Sequence, residues 1–96
     1  MSGPLRLDWA AAKGRTYDLG DELTIGRADG CAIALADDKT VSQLHARVFR
    51  RGSDLLVEDL GSTNGTYVNG RKVDGAIPVK RGDHIKVGAT VFEVDA

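Results

Sequence analysis

Gly61-Ser62-Thr63-Asn64-Gly65-Thr66-Tyr67-Val68-Asn69-Gly70-Arg71-Lys72-Val73 is the stretch whose reading decides the fold. Its second half is a hairpin: Thr66-Tyr67-Val68 meets Asn69-Gly70, a dipeptide that tolerates the positive φ values of a type I′ turn, and Arg71-Lys72-Val73 returns. Its first half is a tight turn rich in hydroxyls and amides, set immediately before a strand. Such a turn can hold an anion.

Outward from this hairpin the chain keeps the same grammar of short apolar alternations broken by Gly, Asn and Asp, which marks an all-β sandwich or barrel and not βαβ units. Leu5-Leu7-Trp9 alternates with polar neighbours, Lys13-Gly14 is a turn, Thr16 to Leu19 is extended again, and Leu23-Thr24-Ile25 runs into Gly26-Arg27. Ala32 to Leu35 is a short strand. His45 to Arg50 places Ala46 and Val48 on one face and Arg47 and Phe49 on the other, and Arg51-Gly52-Ser53 turns into Leu55 to Asp59. Ile77-Pro78-Val79 suits an edge strand, because Pro78 cannot donate to a ladder. Asp83 to Val87 and Val91 to Val94 form a closing pair around Gly88. The expectation is a β-sandwich of two antiparallel sheets with about ten or eleven strands, its binding loops gathered at one end and no helix longer than a turn.

Composition narrows the function classes. Ninety-six residues fit one domain, spanning 1–96 and read as excised from a larger protein; a domain this size buries about two-thirds of its unfolded surface. Lys and Arg total 13 against 14 Asp and Glu, so a net charge of -1 gives no general attraction to nucleic acid or to an anionic membrane. One Trp, two Tyr and two Phe are too few for the aromatic-lined basic groove of a nucleic-acid-binding barrel. Phosphate recognition must therefore be local. The single cysteine, Cys31, cannot form an internal disulfide, which fits a reducing compartment and a packing role. No apolar run approaches the ~18 residues that cross a bilayer, and Met1-Ser2-Gly3-Pro4 lacks a signal-peptide pattern, so a cytoplasmic location and no membrane insertion are expected. No metal-ligand cluster is present in the sequence, so no cofactor is expected, and a monomer is the default.

Three motifs stand in order along the chain: Gly26-Arg27, Ser42-Gln43-Leu44-His45, and Ser62-Thr63-Asn64-Gly65-Thr66. Together they resemble the forkhead-associated (FHA) domain, a family of phosphothreonine-peptide-binding modules, and the resemblance extends roughly from Leu5 to Val94. Taken singly, Arg27 reads as a solvated arginine after a turn, Ser42 as a capping hydroxyl, and the Ser-Thr-Asn-Gly-Thr run as an ordinary turn. The resemblance implies more. Arg27, whose planar charged fork suits phosphate oxygens, contacts the phosphate together with Ser42 and Thr63, and Asn64 hydrogen-bonds the ligand's main chain. His45 supplies a supporting hydrogen bond that fixes the loops, with Gly26, Gly61, Ser62 and Gly65 shaping them. Read from its own residues, the Gly-rich turn that carries Thr63 and Asn64 can bring a hydroxyl and backbone N–H groups together on an anion as in a nest. The position after Ser42 is often Arg or Lys in the family, whereas Gln43 is neutral here and donates one uncharged hydrogen bond unless Arg47 or another base substitutes. The implied partners are a phosphothreonine-containing protein or peptide and, upstream, a Ser/Thr protein kinase. Residue preference beyond the phosphothreonine would be set by the loops 37–41 and 71–75. Asn69-Gly70 is expected to be structural, Asp59 to accept hydrogen bonds from the following loop, and His84 to be exposed.

Two enzymatic readings compete. A hydrolase would use Ser42 as nucleophile, His45 as base and Asp59 as orienter, but Ser42 lacks the Gly-x-Ser-x-Gly elbow that exposes a nucleophile. A phosphate-binding loop of the nucleotide-binding type would need a Lys and a following helix, and Gly61 to Thr66 has neither. The remaining alternative is a phospho-independent interaction scaffold of the same fold.

Overall fold

The computed structural model describes residues 6–9, 16–18 and 22–95, with side chains over 22–94. Along these run β1 (Arg6–Trp9), β2 (Thr16–Asp18), β3 (Glu22–Gly26), β4 (Ile33–Ala34), β5 (Ala46–Arg51), β6 (Asp54–Asp59), β7 (Thr66–Val68), β8 (Arg71–Lys72), β9 (Ala76–Val79), β10 (His84–Val87) and β11 (Thr90–Asp95). One sheet has the order β2-β1-β11-β10-β7-β8 and the other β4-β3-β5-β6-β9. Among the described residues the expectation of two sheets and no helix is met. The expected turn at Lys13-Gly14, and Leu5 and Leu19 at strand ends, lie outside the described residues.

Period-two burial builds the core. Ala46 and Val48 of β5, Ile85 and Val87 of β10, and Phe92 and Val94 of β11 are all fully buried. They join Leu23, Ile25, Val57 and Val79 in one cluster. Each fully buried aliphatic or aromatic side chain of this kind stabilises by about 1.5–3 kcal/mol. On the opposite face of β5 Phe49 is also buried, because the guanidinium of Arg47 lies 4.0 Å from its ring centroid and that of Arg51 5.7 Å. The alternation was readable; the roof over Phe49 was not.

One pairing departs from the antiparallel expectation. β3 and β4 run parallel, with Ile25 beside Ile33 and Gly26 beside Ala34. A connection this short is possible because the chain folds back on itself: Cys31 N–H donates to the Ala28 carbonyl at 3.1 Å, and Ala32 N–H donates to Thr24 Oγ at 3.0 Å, which sets the returning strand level with β3.

The predicted hairpin is present. Val68 pairs with Arg71 across Asn69 (φ 52°) and Gly70 (φ 85°), the two positive angles that a type I′ turn requires. Asn69 does more than turn the chain, since its Oδ1 accepts the His84 N–H at 2.9 Å and its Nδ2 donates to Asp83 Oδ1 at 3.0 Å. Pro78 sits in β9, at the edge of its sheet and opposite Leu56.

Candidate functional site

Three loops leave the sandwich at the end where Gly26 terminates β3, Ala46 begins β5 and Asp59 terminates β6; Ala46 is paired with both Ile25 and Asp59. Loop 27–32 is tied to loop 35–45 by Arg27 N–H to the Ser42 carbonyl (2.9 Å) and Ala28 N–H to the Gln43 carbonyl (3.1 Å). Gly26 makes that approach possible, since a Cβ there would collide with the Gln43 carbonyl oxygen and lie 2.8 Å from Cys31 Sγ. Loop 60–65 is tied to the same segment by Thr63 N–H to Ser42 Oγ (3.0 Å) and by Asn64 Nδ2 to the Thr40 carbonyl (2.8 Å).

His45 lies beneath these crossings and is fully buried. Its Nδ1 accepts the Ser42 N–H at 3.0 Å, and its Nε2 lies 2.8 Å from the Gly65 carbonyl oxygen. A carbonyl can only accept and Nδ1 already accepts, so the ring proton sits on Nε2. His45 is thus bonded once to the Ser42 segment and once to the 60–65 loop.

The turn from Gly61 to Thr66 is organised from below by Asp59. Asp59 Oδ2 accepts the N–H groups of Gly61 (3.1 Å) and Ser62 (3.0 Å), while Oδ1 accepts the hydroxyls of Ser62 (2.5 Å) and Thr66 (2.7 Å). Burial pushes this carboxyl up, but the four donors outweigh it and hold it below the usual carboxylate range. Ser62 Oγ in turn accepts the Gly65 N–H at 2.8 Å, and Gly61 and Gly65 hold positive φ values of 78° and 86°. This corrects the nest expectation. The amides of Gly61 and Ser62 turn toward the chain's own Asp59, that of Thr63 toward Ser42 Oγ and that of Gly65 toward Ser62 Oγ, so four amides of the turn face inward, and the exposed side chains of Thr63 and Asn64 are what it offers outward.

Between the loops lies a cleft of about 330 Å³ lined by Arg27, Lys39, Val41, Ser42, Gln43, Thr63 and Asn64. Every residue expected to contact ligand is in this lining. Arg27 Nε is buried there with no hydrogen-bond partner, and Arg27 forms no ion pair among the described residues. Ser42 Oγ receives the Thr63 N–H as an acceptor, which leaves its own proton to donate. Thr63 and Asn64 are exposed. Asn64 also lines a second cleft of about 370 Å³ with Thr40, Gly65, Tyr67, Lys86, Gly88 and Ala89, so it stands on the ridge between the two. The second cleft's far wall comes from the β10–β11 turn, not from the 71–75 loop.

Arg47 is no substitute for a missing base: its Nη1 pairs with Glu22 Oε2 at 2.8 Å and its Nε with Glu58 Oε1 at 2.6 Å, on the outer face of the sheet. Lys39 lines the cleft instead. It gave no sequence signal beyond a lone positive charge in the polar 37–41 loop, whereas Asp59 is expected from its place before the turn to accept hydrogen bonds from it, as it does.

The triad reading fails on geometry. His45 Nδ1 takes the backbone N–H of Ser42 while Ser42 Oγ serves Thr63, and Asp59 is bonded to Gly61, Ser62 and Thr66, so none of the three orients another for nucleophilic attack.

Residues 23–88 match the family model described as FHA domain. Among curated proteins the chain is similar to the FHA domain-containing protein FhaB of Mycolicibacterium smegmatis, at 46% identity over 85 residues, covering 88% of this chain and 54% of that protein. The chain spans about half the length of the FhaB proteins it matches. Among solved structures, one from a structural and functional analysis of phosphothreonine-dependent FHA domain interactions aligns with a TM-score of 0.89 at 33% identity, covering 98% of this chain and 97% of that one. Mycobacterium tuberculosis EmbR in complex with a low-affinity phosphopeptide aligns with a TM-score of 0.91 at 30% identity, over 98% of this chain and 24% of EmbR.

Proposed function

The chain belongs to the forkhead-associated family, and from that premise we propose that it is a phosphothreonine-dependent peptide-binding module acting in Ser/Thr kinase signalling. Domains of this family are binding modules, not catalysts. The observation that carries the reading is the buried, unpartnered Nε of Arg27 in a cleft shared with Ser42 and Thr63. A buried donor without an acceptor costs about 1–3 kcal/mol, and a phosphate oxygen would supply the acceptor.

In this reading the phosphate of an extended peptide is held by the Arg27 guanidinium, the outward proton of Ser42 and the exposed hydroxyl of Thr63. Gln43 adds one neutral hydrogen bond. Asn64 spends one amide proton on Thr40 and offers the other, with Oδ1, to the peptide backbone. Gly26, His45, Gly61, Ser62 and Gly65 hold the loops without touching ligand. The second cleft, beyond Asn64, receives a side chain flanking the phosphothreonine. Among the described residues no helix is long and apolar enough to cross a membrane, and a kinase product as ligand puts the module in the kinase's compartment, the cytoplasm.

The test is calorimetric titration with a peptide pool carrying a fixed phosphothreonine amid random residues, beside the identical unphosphorylated pool and an Arg27→Ala variant. Binding that requires both the phosphate and Arg27 is the expected result. Equal binding of the two pools would replace this reading with a phospho-independent scaffold.

A further inference from the structure

We propose that Lys39 supplies the second positive charge on the bound phosphate, the role that the neutral Gln43 leaves unfilled. The inference rests on the phosphopeptide reading above. A phosphothreonine carries about -1.5 to -2 charges at neutral pH, so Arg27 alone leaves the complex short of neutrality. The position that would complete it from the Ser42 segment holds an amide. Of the remaining cations near the loops, Arg47 is bound to two carboxylates on the outer face, Lys86 lines the neighbouring cleft, and Lys72, whose stem lies against Gly65, is outside the lining of the phosphate cleft. Lys39 alone joins Arg27 in the lining of the phosphate cleft, and no acidic side chain pairs with it among the described residues.

The backbone on both sides of Lys39 is anchored. Asp38 Oδ1 accepts the Thr40 N–H at 3.0 Å and also the Thr40 hydroxyl, and Oδ2 accepts the Ala89 N–H at 2.9 Å and the Thr90 hydroxyl at 3.0 Å. The Asp38 carbonyl accepts the Val41 N–H at 3.1 Å, and the Thr40 carbonyl accepts from Asn64. Lys39 is thus the free side chain on a fixed turn, and the Asp38 carboxylate beside it is oriented toward four donors of its own. Only the rotamers of its own stem must order when a phosphate arrives, because the backbone that carries it is already fixed.

The experiment compares wild type, Lys39→Met, Gln43→Arg and the double variant, all titrated with the phosphothreonine pool and its unphosphorylated counterpart at two salt concentrations. Methionine keeps the apolar stem and removes the charge. Lys39→Met is expected to weaken phosphopeptide binding about tenfold and to flatten its salt dependence, and Gln43→Arg is expected to restore both in the Lys39→Met background. A Lys39→Met variant that binds within about twofold of wild type with an unchanged salt slope overturns the proposal. If wild type itself fails to discriminate the two pools, the phosphopeptide reading falls and Lys39 with it; the wild-type arm separates the two failures.

Discussion

His45 donates from Nε2 to the carbonyl oxygen of Gly65, 2.8 Å away and twenty residues along the chain, while its other ring nitrogen holds the amide of Ser42. One imidazole therefore sets the spacing between Ser42 and the hydroxyl-rich turn. His45→Ala leaves a buried amide and a buried carbonyl unpaired and removes a buried ring, so it should destabilise the fold by about 2–4 kcal/mol, read by chemical denaturation. A loss below about 1 kcal/mol would mean the two loops hold their spacing without it.

Arg27→Met should separate stability from recognition. The wild-type Nε is buried without a partner, so the apolar replacement relieves that desolvation, and thermal unfolding should occur at the same temperature or higher. Phosphopeptide binding should be lost beyond detection, since truncating one partner of a charge pair costs about 2–5 kcal/mol. A variant that melts earlier would show that Arg27 serves the free fold.

Acid should loosen this domain through its carboxylates. Asp38, Asp59 and Asp83 are each held below the ordinary range: burial raises the first two but is outweighed by their hydroxyl and amide donors, and Asn69 foremost lowers the third. Groups depressed in the folded state contribute stability that is complete above their unfolded value near 4 and is lost as pH falls through the lower folded values. Denaturation midpoints should accordingly fall below about pH 4. Asp59→Asn should lower stability at neutral pH by about 1–3 kcal/mol and remove part of that acid slope.

Binding should follow a different titration. The second ionisation of a phosphate lies near 6, so peptide affinity should decline as the pH is taken from about 7 to 5, where the fold keeps its carboxylates. Flat affinity over that interval would argue that the site prefers the monoanion.

Arg47→Ala offers a negative control. Its charge serves Glu22, Glu58 and the ring of Phe49, so thermal stability should drop while phosphopeptide affinity stays within about twofold of wild type.

Much of this was legible because strands advertise themselves by alternation, as in Ala46 and Val48, and because Asn69-Gly70 admits few other uses. β4 was placed nearly correctly but not its direction, since two residues carry no pattern that distinguishes parallel from antiparallel pairing. In the site, Arg27, Ser42, Thr63 and Asn64 stood out through motif order, which is a property of the chain. Lys39 did not, because its relevance depends on how loop 35–45 crosses loop 27–32, a fact of three dimensions. Asp59 was legible as an acceptor for the following loop; which amides and hydroxyls it captures depended on the turn's backbone, which the string Gly-Ser-Thr-Asn-Gly-Thr does not specify.

The closure of the 61–66 turn over Asp59 has a kinetic consequence. A loop four of whose amides are already satisfied has little left to rearrange at first encounter, so association should proceed at the ordinary rate for docking onto a rigid surface. Competing phosphopeptides should then differ chiefly in residence time, with selectivity expressed in how slowly a partner leaves.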